Sequence, residues 1–205
     1  MPPLFFPPHL LSTLRSAPPG ITFVLLNQQE QSFSPGSLRA ALAAAQYLKS
    51  QAVAAEVLLL DCASRNGSLT LLRQLETLYF EAGLRLLALP QPVSKMDAWN
   101  LALVKAAYRT IFFMNVTHPF APNDLYSCYQ AMQAKMAAAT YIQETNAPRL
   151  VLFDRLQLFD SGGFPQSNAD LDEDIENTLA YLTACGRQLL AVHPQAAQLN
   201  SLPAH

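Results

Sequence analysis

The chain predicts a three-layer α/β domain: a mostly parallel sheet flanked by helices, Rossmann-like in type. Three observations carry this. Short apolar runs of strand character alternate with longer alanine- and leucine-rich runs from Ile21 to Val192. The strand runs are apolar at consecutive positions, the mark of strands covered on both faces. At 205 residues, 51% hydrophobic and 14% charged, the chain is long enough for one domain with a substantial core.

The elements follow in order. Pro18-Pro19-Gly20 is turn punctuation before the strand Ile21–Leu26. Ser37–Ser50 has no internal proline and reads as a helix, introduced by Pro35 and Gly36 with Ser37 as its cap. Glu56–Asp61 is a second strand. After the turn Asn66-Gly67, Ser68 caps a helix to about Ala82, which Gly83 ends. Leu84–Leu89 is a third strand, stopped by Pro90 and Pro92. Met96–Ala107 is helical, Arg109–Met114 is the fourth strand, and Pro122–Ala139 is helical again. Arg149–Phe153 reads as another strand. Asp170–Cys185 carries Leu171, Ile175, Leu179 and Leu182 at helical spacing, and Gly186 closes it before the last strand, Gln188–Val192. Residues 1–20 and 195–205 read as tails around a domain spanning 21–194.

Composition excludes several classes. A net charge of -2 leaves no basic footprint for nucleic acid. Cys62, Cys128 and Cys185 are odd in number and widely spaced, which argues against a disulfide framework or zinc site and for a reducing, cytoplasmic setting. No apolar run reaches the roughly 20 residues of a membrane span. The proline-studded start of the chain lacks the charged region of a signal peptide. There is no Gly-x-Gly-x-x-Gly, no phosphate-binding Walker loop and no His-Glu-x-x-His, and Ser64 has no nucleophile-elbow context.

The run Ile111-Phe112-Phe113-Met114 ends in Asn115-Val116-Thr117. In a parallel α/β sheet the carboxyl end of a strand is where ligands bind. Asn115-Val116-Thr117 also spells a glycosylation acceptor, which a strand end in a cytoplasmic chain makes incidental. His118 follows beside Pro119 and reads as a loop residue.

Several segments, in order, resemble the inverting family-two glycosyltransferases, which have the nucleotide-diphosphosugar transferase fold. The likeness covers roughly Ile21 to Pro194. Ile21–Gln29 resembles the opening strand and nucleotide-facing loop. Leu60-Asp61-Cys62-Ala63-Ser64-Arg65-Asn66-Gly67-Ser68 resembles the segment the family writes Val-Asp-Asp-Gly-Ser-x-Asp-Gly-Thr. Lys95–Leu103 resembles Lys-x-x-Ala-Arg-Asn-x-Gly. Gly162-Gly163-Phe164 matches the acceptor-side Gly-Gly-Phe turn, Glu173-Asp174 the Glu-Asp pair, and Cys185–Pro194 the closing glycine and strand.

The resemblance implies transfer of a sugar from a nucleotide sugar to an acceptor hydroxyl. It implies Asp174, beside Glu173, as the general base, and Asp61, Lys95 and Asn100 on the nucleotide side. It implies Gly162 and Gly163 in the acceptor-side turn, and Mn²⁺ or Mg²⁺ held by two aspartates to neutralise the leaving diphosphate. Four of the chain's departures from the pattern fall in the donor and metal site. Asn115 and Thr117 stand where the metal-binding aspartates belong, and two neutral oxygens would hold a hard cation far more weakly. Cys62 replaces the second nucleobase-reading aspartate, and Trp99 replaces an arginine. The resulting expectation is a glycosyltransferase-like protein without a metal site of its own and with absent or atypical catalysis. An active divergent transferase with Asp174 as base, and an unrelated doubly wound binding module, are the alternatives. Other readings of single residues stand beside these. Asp61 could be a strand-end carboxylate accepting turn N–H groups, and Glu173-Asp174 could simply favour a helix's first turns. Trp99 could be a core anchor or, with Phe5 and Phe6, part of a surface for a protein partner or a second copy.

Overall fold

The computed structural model describes residues 12, 14–28, 35–64, 68–114, 120–143, 148–165 and 171–192. Seven strands form one sheet: β1 (Ile21–Asn27), β2 (Ala55–Cys62), β3 (Leu84–Leu89), β4 (Thr110–Phe113), β5 (Ala139–Gln143), β6 (Pro148–Asp154) and β7 (Leu189–Val192). Their order across the sheet is β3-β2-β1-β4-β6-β5-β7. β1 through β4 are parallel, and β5 and β7 are parallel to each other. β6 runs antiparallel to both its neighbours. The expected three-layer α/β architecture with a mostly parallel sheet is what the molecule has.

The helices divide between the two faces. α1 (Pro35–Ser50), α2 (Ser68–Tyr79) and α4 (Pro122–Lys135) cover one; α3 (Lys95–Lys105), the short α5 (Arg155–Asp160) and α6 (Leu171–Ala184) cover the other. Alternate strand residues feed the two cores, as a pleat requires. Phe23, Leu25, Leu59 and Leu152 pack with Leu38, Leu48 and Leu125 on the first face. Val24, Leu60, Phe113 and Phe153 pack with Trp99, Leu103, Leu158 and Leu182 on the second. This two-sided burial is why the strands read as continuous apolar runs.

Three expectations need correction. The helix expected over Pro122–Ala139 stops at Lys135, where Met136 turns left-handed (φ 52). Ala139–Gln143 is instead β5, paired with β6 on one side and β7 on the other. Ala137, Ala138 and Ala139 favour a helix by propensity, but burial in the sheet overrides it. α1 begins at Pro35, so Ser37 lies inside its first turn and does not cap it. α5, which no periodicity marked, is a short helix capped by the Asp154 side chain, accepting from Gln157 N at 2.9 Å.

At the amino ends of the parallel strands a polar lattice closes the sheet. Glu56, 8% exposed, accepts from Thr22 Oγ1 at 2.8 Å and the Ala107 amide at 2.6 Å, and pairs with Arg85 at 3.1 Å. Arg109 donates to Asp154 at 2.8 Å. Arg155, 1% exposed, donates from Nη1 to the carbonyls of Ala106 and Tyr108, the latter at 2.8 Å. Burial lowers the Arg155 pKa to about 10 despite the nearby Glu56.

Candidate functional site

The carboxyl ends of β1, β2 and β4 lie together because these strands are parallel neighbours in register, Asn27 beside Asp61. Asp61 is buried at the end of β2. Its Oδ1 accepts from Asn27 Nδ2 at 2.7 Å and from Ser64 Oγ, while Oδ2 accepts from the Ser64 amide at 3.3 Å. Asn27 Nδ2 also donates to Ser64 Oγ at 2.7 Å. The carboxylate thus organises the turn after β2, and its oxygens already hold protein donors. Asn27 and Ser64 were not among the expected site residues. A polar residue closing the first apolar strand was the one signal in the sequence that could have found Asn27.

Cys62 follows Asp61, and burial, partly offset by a hydrogen bond with Gln28 and reinforced by Asp61, raises its pKa. It therefore remains a neutral thiol and supplies no second carboxylate-like charge.

On the second face, α3 and α6 bring two expected site residues into contact. Lys95, the first residue of α3, follows Ser94, whose Oγ caps the helix by accepting from the Asp97 amide at 3.1 Å. The Lys95 ammonium forms an ion pair with Asp174 Oδ2 and lies 6.0 Å from the centroid of the Trp99 ring. The Asp174 side chain is 1% exposed and that of Lys95 17%. Beyond the Lys95 ammonium, neither Asp174 oxygen has a hydrogen-bond donor among the described residues. Glu173 precedes Asp174 on α6 and is exposed.

Asn100, in the second turn of α3, spends its amide on the main chain of Phe164. Its Oδ1 accepts from the Phe164 amide at 2.8 Å and its Nδ2 donates to the Phe164 carbonyl at 3.2 Å. This two-bond clamp requires the preceding residue to have no side chain. A Cβ on Gly163 would stand 2.4 Å from Asn100 Oδ1, and Gly163 has φ +81. Gly162 and Gly163 therefore form the turn that carries the chain from α5 toward α6. Ser161, just before them, accepts from Tyr181 Oη through its carbonyl and from Arg187 Nε through its hydroxyl at 3.0 Å.

Of the readings of Trp99, the core anchor is the one the molecule shows. It is 2% exposed and packs against Phe113 and Phe164 at centroid distances of 4.6 and 5.0 Å. It is a core anchor under the site. Phe5, Phe6, Asn66, Gly67, Asn115, Thr117, His118 and Asp170 lie outside the described residues.

The donor set bears on a metal. The sequence offers neutral oxygens at Asn115 and Thr117, and among the described residues no group of three or more His, Cys, Asp or Glu is placed to hold one. Among the described residues no helix is long and apolar enough to cross a membrane.

No family model matches the chain, and no curated protein matches its sequence. Solved structures do match its fold. A mannosyltransferase from Pyrobaculum calidifontis, PcManGT, in complex with GDP-Man and Mn²⁺, superposes with a TM-score of 0.66 at 17% identity, over 87% of this chain and 56% of that one. S. aureus TarS (residues 1–349) in complex with UDP-GlcNAc gives 0.61 at 13% identity, over 86% of this chain and 59% of that one. GalNAc-T7 with UDP, GalNAc and Mn²⁺ gives 0.65 at 10% identity, over 86% and 43%. The fold is that of the nucleotide-sugar glycosyltransferases. The chain spans roughly half the length of these structures.

Proposed function

We propose that this chain binds a nucleoside diphosphate sugar at the carboxyl end of its sheet and that any transfer it performs is atypical, proceeding without a two-aspartate metal centre. The observation that carries this reading is the contact between Lys95 and Asp174. The family resemblance assigns these two to the nucleotide side and to the acceptor base, and the fold likeness supports treating α3 and α6 as the helices that frame the ligand. Asp174 is the candidate base: it would take the proton of an acceptor hydroxyl as that oxygen attacks the anomeric carbon. Gly162, Gly163 and Asn100 hold the turn beside it. Asn115 and Thr117 would contribute neutral oxygens only.

A second reading, a binding module without turnover, has its own support. Asp61 and Asn100 hold internal partners, and Trp99 is packed in the core where the resemblance expects an arginine. Thermal unfolding in the presence of UDP, GDP, UDP-GlcNAc and GDP-mannose, with Mn²⁺ or with a chelator, tests both. A ligand present at about 100 times its dissociation constant adds about 2.7 kcal/mol to the folded state. The expected result is a shifted midpoint with one nucleotide sugar that survives chelation. Released nucleoside diphosphate in the presence of acceptors would favour the transferase, and a shift without release the module. A shift that needs Mn²⁺ would overturn the metal-free reading, and no shift with any of the four would overturn the nucleotide site.

A further inference from the structure

Among the buried carboxylates of the described residues, Asp174 stands apart. Glu56, Asp61 and Asp154 each accept from amide or hydroxyl donors of the protein. Asp174 is as deeply buried, yet beyond the Lys95 ammonium on Oδ2 neither of its oxygens has an amide or hydroxyl donor among the described residues. Leaving a buried charged acceptor in that state is costly, and such groups are rare in folded proteins. Among the described residues the Lys95 ammonium pairs with it.

Lys95 is suited to a second partner. An ammonium is a compact point charge with three donors at the end of a flexible stem, so it can change partners by rotating side-chain bonds. It stands at the first position of α3, an 11-residue helix whose amino end faces the carboxyl end of the sheet. Helix amino ends favour anions, phosphate groups above all. The position therefore offers an anion both an ammonium and a helix terminus, and a present partner of that ammonium is a carboxylate poor in other contacts.

We propose that Lys95 is a charge latch: it neutralises Asp174 while the site is empty and moves to the diphosphate when a nucleoside diphosphate sugar binds, which leaves Asp174 as a carboxylate open to an acceptor hydroxyl. The inference rests on the nucleotide-sugar reading above and adds to it the cation that the neutral Asn115 and Thr117 do not help to hold. In the transfer step the acceptor oxygen bonds to the anomeric carbon. The bond from that carbon to the diphosphate oxygen breaks, its electron pair leaves with the nucleoside diphosphate, and the acceptor proton passes to Asp174. Lys95 stays protonated and offsets the negative charge of the departing group.

Calorimetric titration of UDP, GDP and the unphosphorylated nucleosides into the full chain tests the latch. The variants are Asp174→Asn, Lys95→Met and the double substitution. Removing the competing carboxylate in Asp174→Asn is expected to tighten nucleoside diphosphate binding at least tenfold. Lys95→Met is expected to weaken it at least tenfold, and the double variant to bind like Lys95→Met, with nucleoside affinity unchanged throughout. Lys95→Met leaves a buried anion uncompensated and could fail to fold; the double variant removes both charges and keeps the comparison intact. Nucleoside diphosphate binding that is equal in wild type, Asp174→Asn and the double variant overturns the latch alone. Absence of binding in both wild type and Asp174→Asn overturns the latch together with the nucleotide reading.

Discussion

The two ends of the sheet solve the same problem, charge in a buried place, in different ways. At the amino ends of β1, β2 and β4, Glu56 and Asp154 each have directed donors, and Arg155 is anchored to the carbonyls of Ala106 and Tyr108. These bonds link β1, β2, the α3–β4 connection, β6 and α5. At the carboxyl ends, Asp61 is tied to Asn27 and Ser64, but Asp174 is met by the Lys95 ammonium alone among the described donors. A satisfied polar network rigidifies, and in the amino-end lattice Arg155 Nε is the one buried polar side-chain atom without a partner among the described residues. The amino end is held by many bonds between distant segments, and the carboxyl end leaves Asp174 dependent on a single flexible cation among the described residues.

The sharpest way to break this contrast is at the amino end. Arg155→Ala removes the donor to two carbonyls and a buried cation in the neighbourhood of Glu56 and Asp154 in one step. Losing one member of a buried charged network costs about 3–5 kcal/mol. Urea unfolding should show that loss, and a cost below about 1 kcal/mol would mean the lattice is not what secures this end.

A smaller effect is expected where the carboxyl-end site is supported. Gly163→Ala pushes a Cβ to 2.4 Å from Asn100 Oδ1 at a left-handed φ. The combined clash and strain should cost about 2–3 kcal/mol. In an Asn100→Ala background the clash disappears, so the same substitution should cost about 1 kcal/mol, the strain alone. Equal costs in both backgrounds would show that the clamp does not position the turn.

The smallest effect compares two buried thiols, Cys62 at the carboxyl end of β2 and Cys128 in the core of the opposite face. Burial, with Asp124 adding to it, pushes Cys128 from 9.0 up to about 12. The folded chain keeps this proton when the unfolded chain has lost it, so stability is full below about pH 9 and declines as pH rises. Each such thiol contributes up to about 1.4 kcal/mol per pH unit. Arg155 acts in the opposite sense above about pH 10, where the unfolded chain binds the extra proton. Between about pH 9 and 10, Cys128→Ala should therefore flatten the decline by up to about 1.4 kcal/mol per unit. An unchanged slope would mean Cys128 titrates in the fold as it does in the open chain.

Much of the fold was legible in the residues because burial on both faces of a parallel sheet leaves a signature within each strand. Leu58-Leu59-Leu60 and Ile111-Phe112-Phe113 announce their burial without knowledge of their neighbours. Ala139–Gln143 did not, because an alanine-rich approach carries a helical preference that only pairing with β6 and β7 reverses. The site was legible in part. The residues Lys95, Asn100, Gly163 and Asp174 stand out by resemblance, yet their partners do not.

The sequence by itself determined which positions are apolar, where the chain must turn, and that Asn115, Thr117, Cys62 and Trp99 bring no charge to the places where the resemblance expects it. Those are properties of residue types and short spacings. Only the tertiary structure decided that Trp99 lies inside the core, that Asn100 clamps Phe164, and that Lys95 meets Asp174. Each depends on helices distant along the chain being packed on one face of a sheet. A side chain's charge is written in the sequence, and its partner is chosen by packing.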